Sequence, residues 1–365
     1  MSHGYNSCHY EITQREYKSN YQICASLGAF ITMAWSTHYV SPANTLWQGR
    51  KNIPENACFF QIIRLLDLNT TITTVPQTTR AFALLGFSCD EGVRRNQGRI
   101  GAAEGPEAIR KVLANMPIQQ SDILCFDAGD ITCTNGDLAI AQITLGNAVN
   151  LLLQHHITPI VLGGGHELAY GHYLGIAKTY PHHQLGIVNF DAHFDMRPLP
   201  PDQQGNSGTP FLQIAELHKA AQQHFDYNCI GIQPAGNMQT LFNTAAIWQV
   251  HTLQAEQIQA DEKKLSATFI ERIIHENDII YLSLCLDVFA AAYAPGVSAP
   301  QAFGLTPWQV LPLIRQLAAS GKIISYDIAE LSPPYDIDQR TAKLAANFIY
   351  EIIHSHQGKD PHVTP

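Results

Sequence analysis

Short apolar, often β-branched runs recur along the chain: 82–87 (FALLGF), 123–126 (ILCF), 157–162 (ITPIVL), 185–190 (LGIVNF), 229–232 (CIGI), 247–250 (IWQV), 279–287 (IIYLSLCLD) and 322–328 (KIISYDI). Nearly every position in them is apolar, the pattern of strands covered on both faces. Longer stretches with helix signals lie between. Residues 106–114 open on Pro106, suited to a first helical position. Residues 137–155 follow the turn Asn135-Gly136, and 306–319 start with Thr306 as a cap and Pro307 in the first turn. Strand and helix in alternation predict an α/β fold, three-layer αβα, with a mostly parallel central sheet of about eight strands. Such sheets bind ligands beyond the carboxyl ends of their strands. The residues that follow each run are therefore the candidates for chemistry.

Composition narrows the picture. The chain has 365 residues and is 45% hydrophobic, enough to bury a large core. Residues 45–355 read as a single domain, 1–44 as an N-terminal extension and 356–365 as a tail. The apolar stretch 21–35 (YQICASLGAFITMAW) is too short to span a membrane and reads as a packing helix or part of the extension. Met33 is an alternative start. Lys and Arg number 22 against 31 Asp and Glu, a net charge of −9. No basic footprint forms, so nucleic acid is not expected as a partner, and with no apolar run long enough to span a bilayer neither is a membrane. The 8 cysteines contain no CxxC pair and read as reduced thiols of a cytoplasmic protein.

The strand ends are rich in metal-ligating residues. Gly163-Gly164-Gly165-His166-Glu167 follows one run and Asp191-Ala192-His193-Phe194-Asp195 another; a third ends Ser283-Leu284-Cys285-Leu286-Asp287. On an extended chain, residues two apart share a face. Asp191, His193 and Asp195 would then point to one place, where two carboxylates and an imidazole need a cation. The alternatives are a solvated loop or a hydrogen-bonded His–Asp pair. Asp287 ends a buried run, and a buried carboxylate also needs a partner. Oxygen ligands with one or two imidazoles suit Mn²⁺ better than a closed zinc site. Two metals sharing a hydroxide would make hydrolysis of an electrophilic carbon the natural chemistry. The glycines lack both GK[ST] and GxGxxG spacing, so they read as close backbone approach, not as a phosphate loop.

Together and in this order, the motifs resemble those of the arginase/agmatinase (ureohydrolase) family, whose patterns are GG-x-H, D-A-H-x-D and S-x-D-x-D. The resemblance covers about residues 80–352. Segments 84–110, 163–167, 191–198, 206–211, 294–300 and 327–346, and even 46–50, resemble its formimidoylglutamase branch. The resemblance implies a dinuclear Mn²⁺ centre that hydrolyses C–N bonds of guanidino and amidino groups. It assigns His166, Asp191 and Asp195 to one metal and His193, Asp191 and Asp287 to the other, with Asp191 bridging. Glu330, in DIAEL, matches the carboxylate that holds the substrate's cationic group. A homo-oligomer is implied as well.

The expected reaction is hydrolysis of N-formimidoyl-L-glutamate to L-glutamate and formamide, in histidine degradation, with Asp195 moving the proton. The alternatives are another guanidino or amidino acid as substrate, or a metal-binding paralogue with impaired catalysis. Two carboxylates on the substrate call for cationic and hydrogen-bonding partners, and arginine's fork suits them. The candidates are Arg197, Arg94, Asn96, Ser207, Gly208 and Thr209. Two departures from the family stand out. Cys285 replaces a bridging carboxylate, so one of the two metals is expected to bind weakly. Phe211 lies near the place where arginases carry a proton-shuttling histidine.

Overall fold

The computed structural model describes residues 37–119, 122–260 and 264–358. The stretch 21–35 and Met33 lie outside the described residues. Ten strands make one sheet: β1 (Tyr39–Val40), β2 (Arg64–Leu65), β3 (Arg80–Ser88), β4 (Ile123–Thr132), β5 (Thr158–Gly163), β6 (Leu185–Phe190), β7 (Asp226–Ile232), β8 (His251–Gln254), β9 (Ile279–Cys285) and β10 (Ile323–Ala329). Their order is β1-β4-β3-β5-β10-β9-β6-β7-β8, with β2 beside β4. Only β1 pairs antiparallel; the other pairings are parallel. The expected mostly parallel α/β architecture is therefore present.

Alternation along each strand divides the core in two. In β3, Phe82 and Leu84 face one layer, and Ala81, Ala83, Leu85 and Phe87 the other. The first layer is completed by helices Gly105–Leu113, Lys264–Glu276, Pro307–Ala318 and Arg340–Ser355. Helices Leu138–Gln154, Leu168–Thr179 and Pro210–Ala221 complete the second. Burial on both faces explains why the runs are apolar at nearly every position. Helices 138–154 and 168–179 cross closely, because a Cβ on Gly175 would come within 2.4 Å of the Gly146 carbonyl oxygen.

Three expectations need correction. The run 247–250 is not a strand: helix Gln239–Ile247 extends into it, and the strand is β8, four residues later. β8 is an edge strand with only Leu253 buried, so polar His251, Thr252 and Gln254 hide it from a hydrophobicity reading. The N-terminal extension cannot include all of 1–44, since Tyr39 is buried in β1 and its hydroxyl accepts from the Leu68 amide at 2.9 Å. The tail likewise starts later than 356, because His356 is buried against Tyr326, ring nitrogen to hydroxyl 2.9 Å. No helix among the described residues is long and apolar enough to cross a membrane.

Candidate metal centre

Strands β5, β10, β9 and β6 lie side by side and are parallel, so their carboxyl ends open on one place. After β5 the chain threads between its neighbours. Gly164 donates to the Phe87 carbonyl at 3.0 Å, Gly165 to that of Cys89 at 2.9 Å, and the Gly164 carbonyl accepts from Glu330 at 2.8 Å. A Cβ on Gly164 would lie 2.1 Å from the Cys89 carbonyl oxygen. Only glycine passes here, and the passage delivers His166 to the centre.

The D-x-H-x-D residues do converge, but through a turn and not along an extended strand. β6 stops at Phe190, the His193 amide folds back onto Asp191 Oδ1 at 2.7 Å, and Asp195 takes a left-handed backbone with φ 46°. Non-glycine residues hold such a conformation only where the surroundings enforce it. The Phe211 amide bonds to the Asp195 carbonyl at 3.1 Å and supplies part of that enforcement.

His166 Nδ1 lies 3.0 Å from Asp191 Oδ2 and 2.9 Å from Asp195 Oδ2. His193 Nδ1 lies 3.1 Å from Asp287 Oδ2 and 3.5 Å from Asp191 Oδ1. Asp191 thus turns one oxygen to each imidazole. Donor atoms of His166, Asp191 and Cys285 lie within 4.8 Å of one another, and so do those of Asp191, His193 and Asp287. All of these side chains are buried except His193 and Asp195, which are partly exposed.

This donor set fits a pair of divalent cations. His166 Nδ1 is buried and makes no hydrogen bond, although two carboxylate oxygens lie close by. A ring nitrogen aimed between two acceptors is in place for a metal, and the oxygen-rich ligands suit Mn²⁺. The electrostatics agree. Burial opposes charging of His166, yet Asp191 and Asp195 hold its protonation range well above the usual one. His193 is raised in the same way by Asp287 and Asp191. Burial, then the negative Asp191, pushes Asp195, Asp287 and the Cys285 thiol upward. Bound cations would relieve this crowding of acidic groups.

Glu330 stands at the end of β10 with φ 73° and accepts the His166 amide at 2.8 Å. Burial, then Glu167 and Asp287, raises its carboxyl to about 8. Glu167, raised by burial to about 7, accepts the Gly92 amide at 2.8 Å and ties the short helix Glu91–Arg95 after β3 to the centre.

The candidates for the substrate's carboxylates divide. Arg197 lies two residues past Asp195, its amide bonded to the Gly208 carbonyl at 2.8 Å. Its exposed guanidinium has no hydrogen-bond or ion-pair partner among the described residues. Asn96 donates to Ser207 Oγ at 3.0 Å, and a Cβ on Gly208 would sit 3.0 Å from Arg197 Cδ and 3.2 Å from Asn96 Nδ2. Arg197, Asn96, Ser207 and Gly208 therefore form one group beside Asp195. Arg94 is not free to join it: its guanidinium forks onto Glu91 with two contacts of 2.6 Å. Thr209 is also engaged, its hydroxyl bridging Gln213 at 2.8 Å and the Asn206 carbonyl at 3.0 Å.

Sequence reasoning gave Glu167 and Ser283 no role beyond their place in the motifs, and missed Asp327 and Asn189, which donates to Asp191 Oδ2 at 3.1 Å. Asp327 and Asn189 are polar residues within apolar runs, which is a weak sequence signal.

The sequence model of the Arginase family matches residues 80–354. The chain belongs to the arginase family. It is 44% identical over 313 residues to the formimidoylglutamase of Legionella pneumophila (strain Lens), covering 86% of this chain and 96% of that one. Identity to the formimidoylglutamase of Geobacillus sp. (strain WCH70) is 43% over 325 residues, with 87% and 97% covered. Among solved structures, Trypanosoma cruzi formiminoglutamase with Mn²⁺₂ superposes with a TM-score of 0.69 at 25% identity, covering 76% of this chain and 93% of the other. Within the arginase family's S-x-D-x-D pattern, this chain has its sulfur directed into the cluster beside His166 and Asp191. Phe211 packs edge-on against the His166 ring at 5.4 Å and stacks on Tyr227 at 4.4 Å, closing one side of the centre with apolar surface.

Proposed function

We propose that this chain hydrolyses N-formimidoyl-L-glutamate to L-glutamate and formamide, a step of histidine degradation, with Mn²⁺ as its metal. The observation that carries the reading is the pair of donor clusters sharing Asp191, next to a buried carboxylate, Glu330. His166, Asp191, Asp195 and Cys285 would hold one ion, and Asp191, His193 and Asp287 the other. When bound, the ions make hydroxide available at neutral pH and polarise the substrate.

The rest is done by side chains. Glu330 has one oxygen engaged by the His166 amide and the other open, so it can hold the cationic amidine. The amidinium's charge also offsets the burial that keeps Glu330 protonated. Asp195 is partly exposed and sits beside the expected path of the nucleophile. It accepts the proton of the attacking water and delivers it to the departing amine. Water's oxygen ends in formamide, the formimidoyl carbon's bond to the glutamate nitrogen breaks, and glutamate leaves. Arg197 takes a glutamate carboxylate by its fork, with Asn96, Ser207 and the Gly208 backbone beside it. An acidic substrate is favoured by the unpaired charge of Arg197; an amine substrate would need a carboxylate there.

The described cysteines Cys58, Cys89, Cys125, Cys133, Cys229 and Cys285 are free thiols, which supports a reducing, cytoplasmic setting. A homo-oligomer is the working assembly, on the family resemblance. The deciding experiment is product analysis with Mn²⁺-loaded protein and N-formimidoyl-L-glutamate. Formamide with glutamate supports the reading. Ammonia with N-formylglutamate would keep the substrate but overturn the reaction, and no turnover would overturn both.

A further inference from the structure

Beneath the metal centre lies a polar network that the reaction does not use directly. Its hub is the carboxylate of Asp327, which is buried in β10 opposite Ser283 of β9. Three groups donate to it. Ser283 Oγ reaches Oδ1 at 2.6 Å, the Tyr281 hydroxyl reaches Oδ2, and His172 Nδ1 reaches Oδ2 at 2.9 Å. On the far side, His172 Nε2 meets Ser325 Oγ at 2.5 Å. All five side chains are fully buried. A carboxylate in such a place is costly unless its oxygens are filled, and here three donors fill them.

The proton order follows from counting hydrogens. Ser283 has one hydroxyl proton, and Asp327 receives it. Ser283 Oγ can therefore only accept from its other neighbour, His166 Nε2, at 2.9 Å. That contact places the His166 proton on Nε2. In the neutral ring, the form that binds a metal, Nδ1 is then the nitrogen with the lone pair, and it is the one that faces Asp191 and Asp195. Partners on the far ring nitrogen fix the tautomer and orientation of metal-ligating histidines.

We propose that Asp327, acting through Ser283, is a positioning residue that sets the tautomer of His166 and so presents Nδ1 to the metal. Tyr281 and His172 hold the carboxylate in register for that task. The inference rests on the reading of His166 as a metal ligand, and goes beyond it in assigning the group that prepares the ligand.

The test measures Mn²⁺ affinity, by electron paramagnetic resonance of the free ion, together with thermal unfolding of the metal-free protein. The variants are Ser283→Ala, Ser283→Thr, Asp327→Asn and the double Ser283→Ala/Asp327→Asn. Ser283→Ala and Asp327→Asn should each weaken binding of one ion by about ten- to a hundredfold. Ser283→Thr restores the hydroxyl and should restore affinity, which a role in packing alone would not predict. The double variant should bind no more weakly than the weaker single one, because both act through one chain of hydrogen bonds. Wild-type affinity in Ser283→Ala, or additive losses in the double variant, would overturn the proposal. If Asp327→Asn fails to fold, the Ser283 pair decides, since it leaves Tyr281 and His172 on Asp327. Wild-type turnover of N-formimidoyl-L-glutamate is read separately. Intact Mn²⁺ binding without turnover would sink the substrate reading and leave this one standing, whereas a wild type that binds no Mn²⁺ would sink both.

Discussion

The main-chain amide of His166 donates to the carboxylate of Glu330 at 2.8 Å. The bond joins the end of β5 to the end of β10, so the candidate metal ligand and the candidate amidine holder cannot move independently. Glutamine at 330 would keep an oxygen for that amide and lose only the charge. Glu330→Gln should therefore retain Mn²⁺ while kcat/KM falls by about 10²–10³, the usual cost of one preorganised electrostatic partner. Metal analysis beside the kinetics checks this. Loss of Mn²⁺ together with activity would show that Glu330 supports the centre and not the substrate.

The same carboxyl makes the metal-free protein sensitive to base. Burial raises Glu330 to about 8 and Glu167 to about 7. A raised carboxyl binds its proton more tightly in the folded chain than in the unfolded one. Its contribution to stability is thus present below the ordinary carboxylate range and is lost as pH climbs through 7 and 8. The metal-free protein should melt at lower temperature at pH 9 than at pH 5. For Glu167 the loss is on the order of 3 kcal/mol, at about 1.4 kcal/mol per unit. Glu167→Gln keeps an acceptor for the Gly92 amide and should flatten the dependence of Tm on pH. An unchanged slope in that variant would refute the assignment.

Much of this was legible in the residues because burial on both faces writes strands as apolar runs, and the acidic and imidazole groups cluster at their ends. Asp191, His193 and Asp287 stand out for that reason. Expected on one face of an extended strand, Asp191, His193 and Asp195 are instead brought together by the fold-back of the His193 amide and the left-handed backbone of Asp195. Thr209 and Arg94 misled because sequence gives a side chain's chemistry and not its neighbours. Gln213 takes the hydroxyl of Thr209, and Glu91 takes the fork of Arg94. The roles of Ser283 and Asp327 were not legible because they depend on β9 and β10 being adjacent, and that pairing joins segments far apart in the chain. The polar edge strand β8 was hidden because little of it needs burying.

Arg197 provides a direct test of substrate charge. Its guanidinium is exposed and unpaired among the described residues, so removing it leaves no buried partner stranded. Arg197→Ala should cost little stability, within about 0.5 kcal/mol for a surface change. KM for N-formimidoyl-L-glutamate should rise by tenfold or more, from loss of about 1.5–3 kcal/mol in a charged hydrogen bond. Arg197→Lys should recover only part of it, because an ammonium cannot fork. Arg94→Ala serves as the control and should leave KM unchanged, as Arg94 faces Glu91. Equal effects of the Arg94 and Arg197 variants would place the carboxylate elsewhere.

Cys285 bears on how firmly the ion beside His166 is held. Its sulfur is buried beside His166 and Asp191, and burial with the negative Asp191 keeps the thiol protonated in the metal-free chain. An ion that uses this sulfur must displace the proton, and Mn²⁺ gains less from a thiolate than from a carboxylate. Asp191, Asp195 and His166 remain at the same position, so binding there should be weakened but not abolished. After dialysis the wild type should retain less than two Mn²⁺ per chain. Cys285→Asp, which supplies the family's bridging carboxylate, should retain more. Its longer side chain must fit a fully packed strand end, so thermal unfolding with and without Mn²⁺ is the companion measurement. A larger Mn²⁺-dependent rise in Tm than in the wild type is expected, by linkage of binding to folding. Two tightly held ions in the undisturbed wild type would show instead that sulfur serves this centre as well as oxygen does.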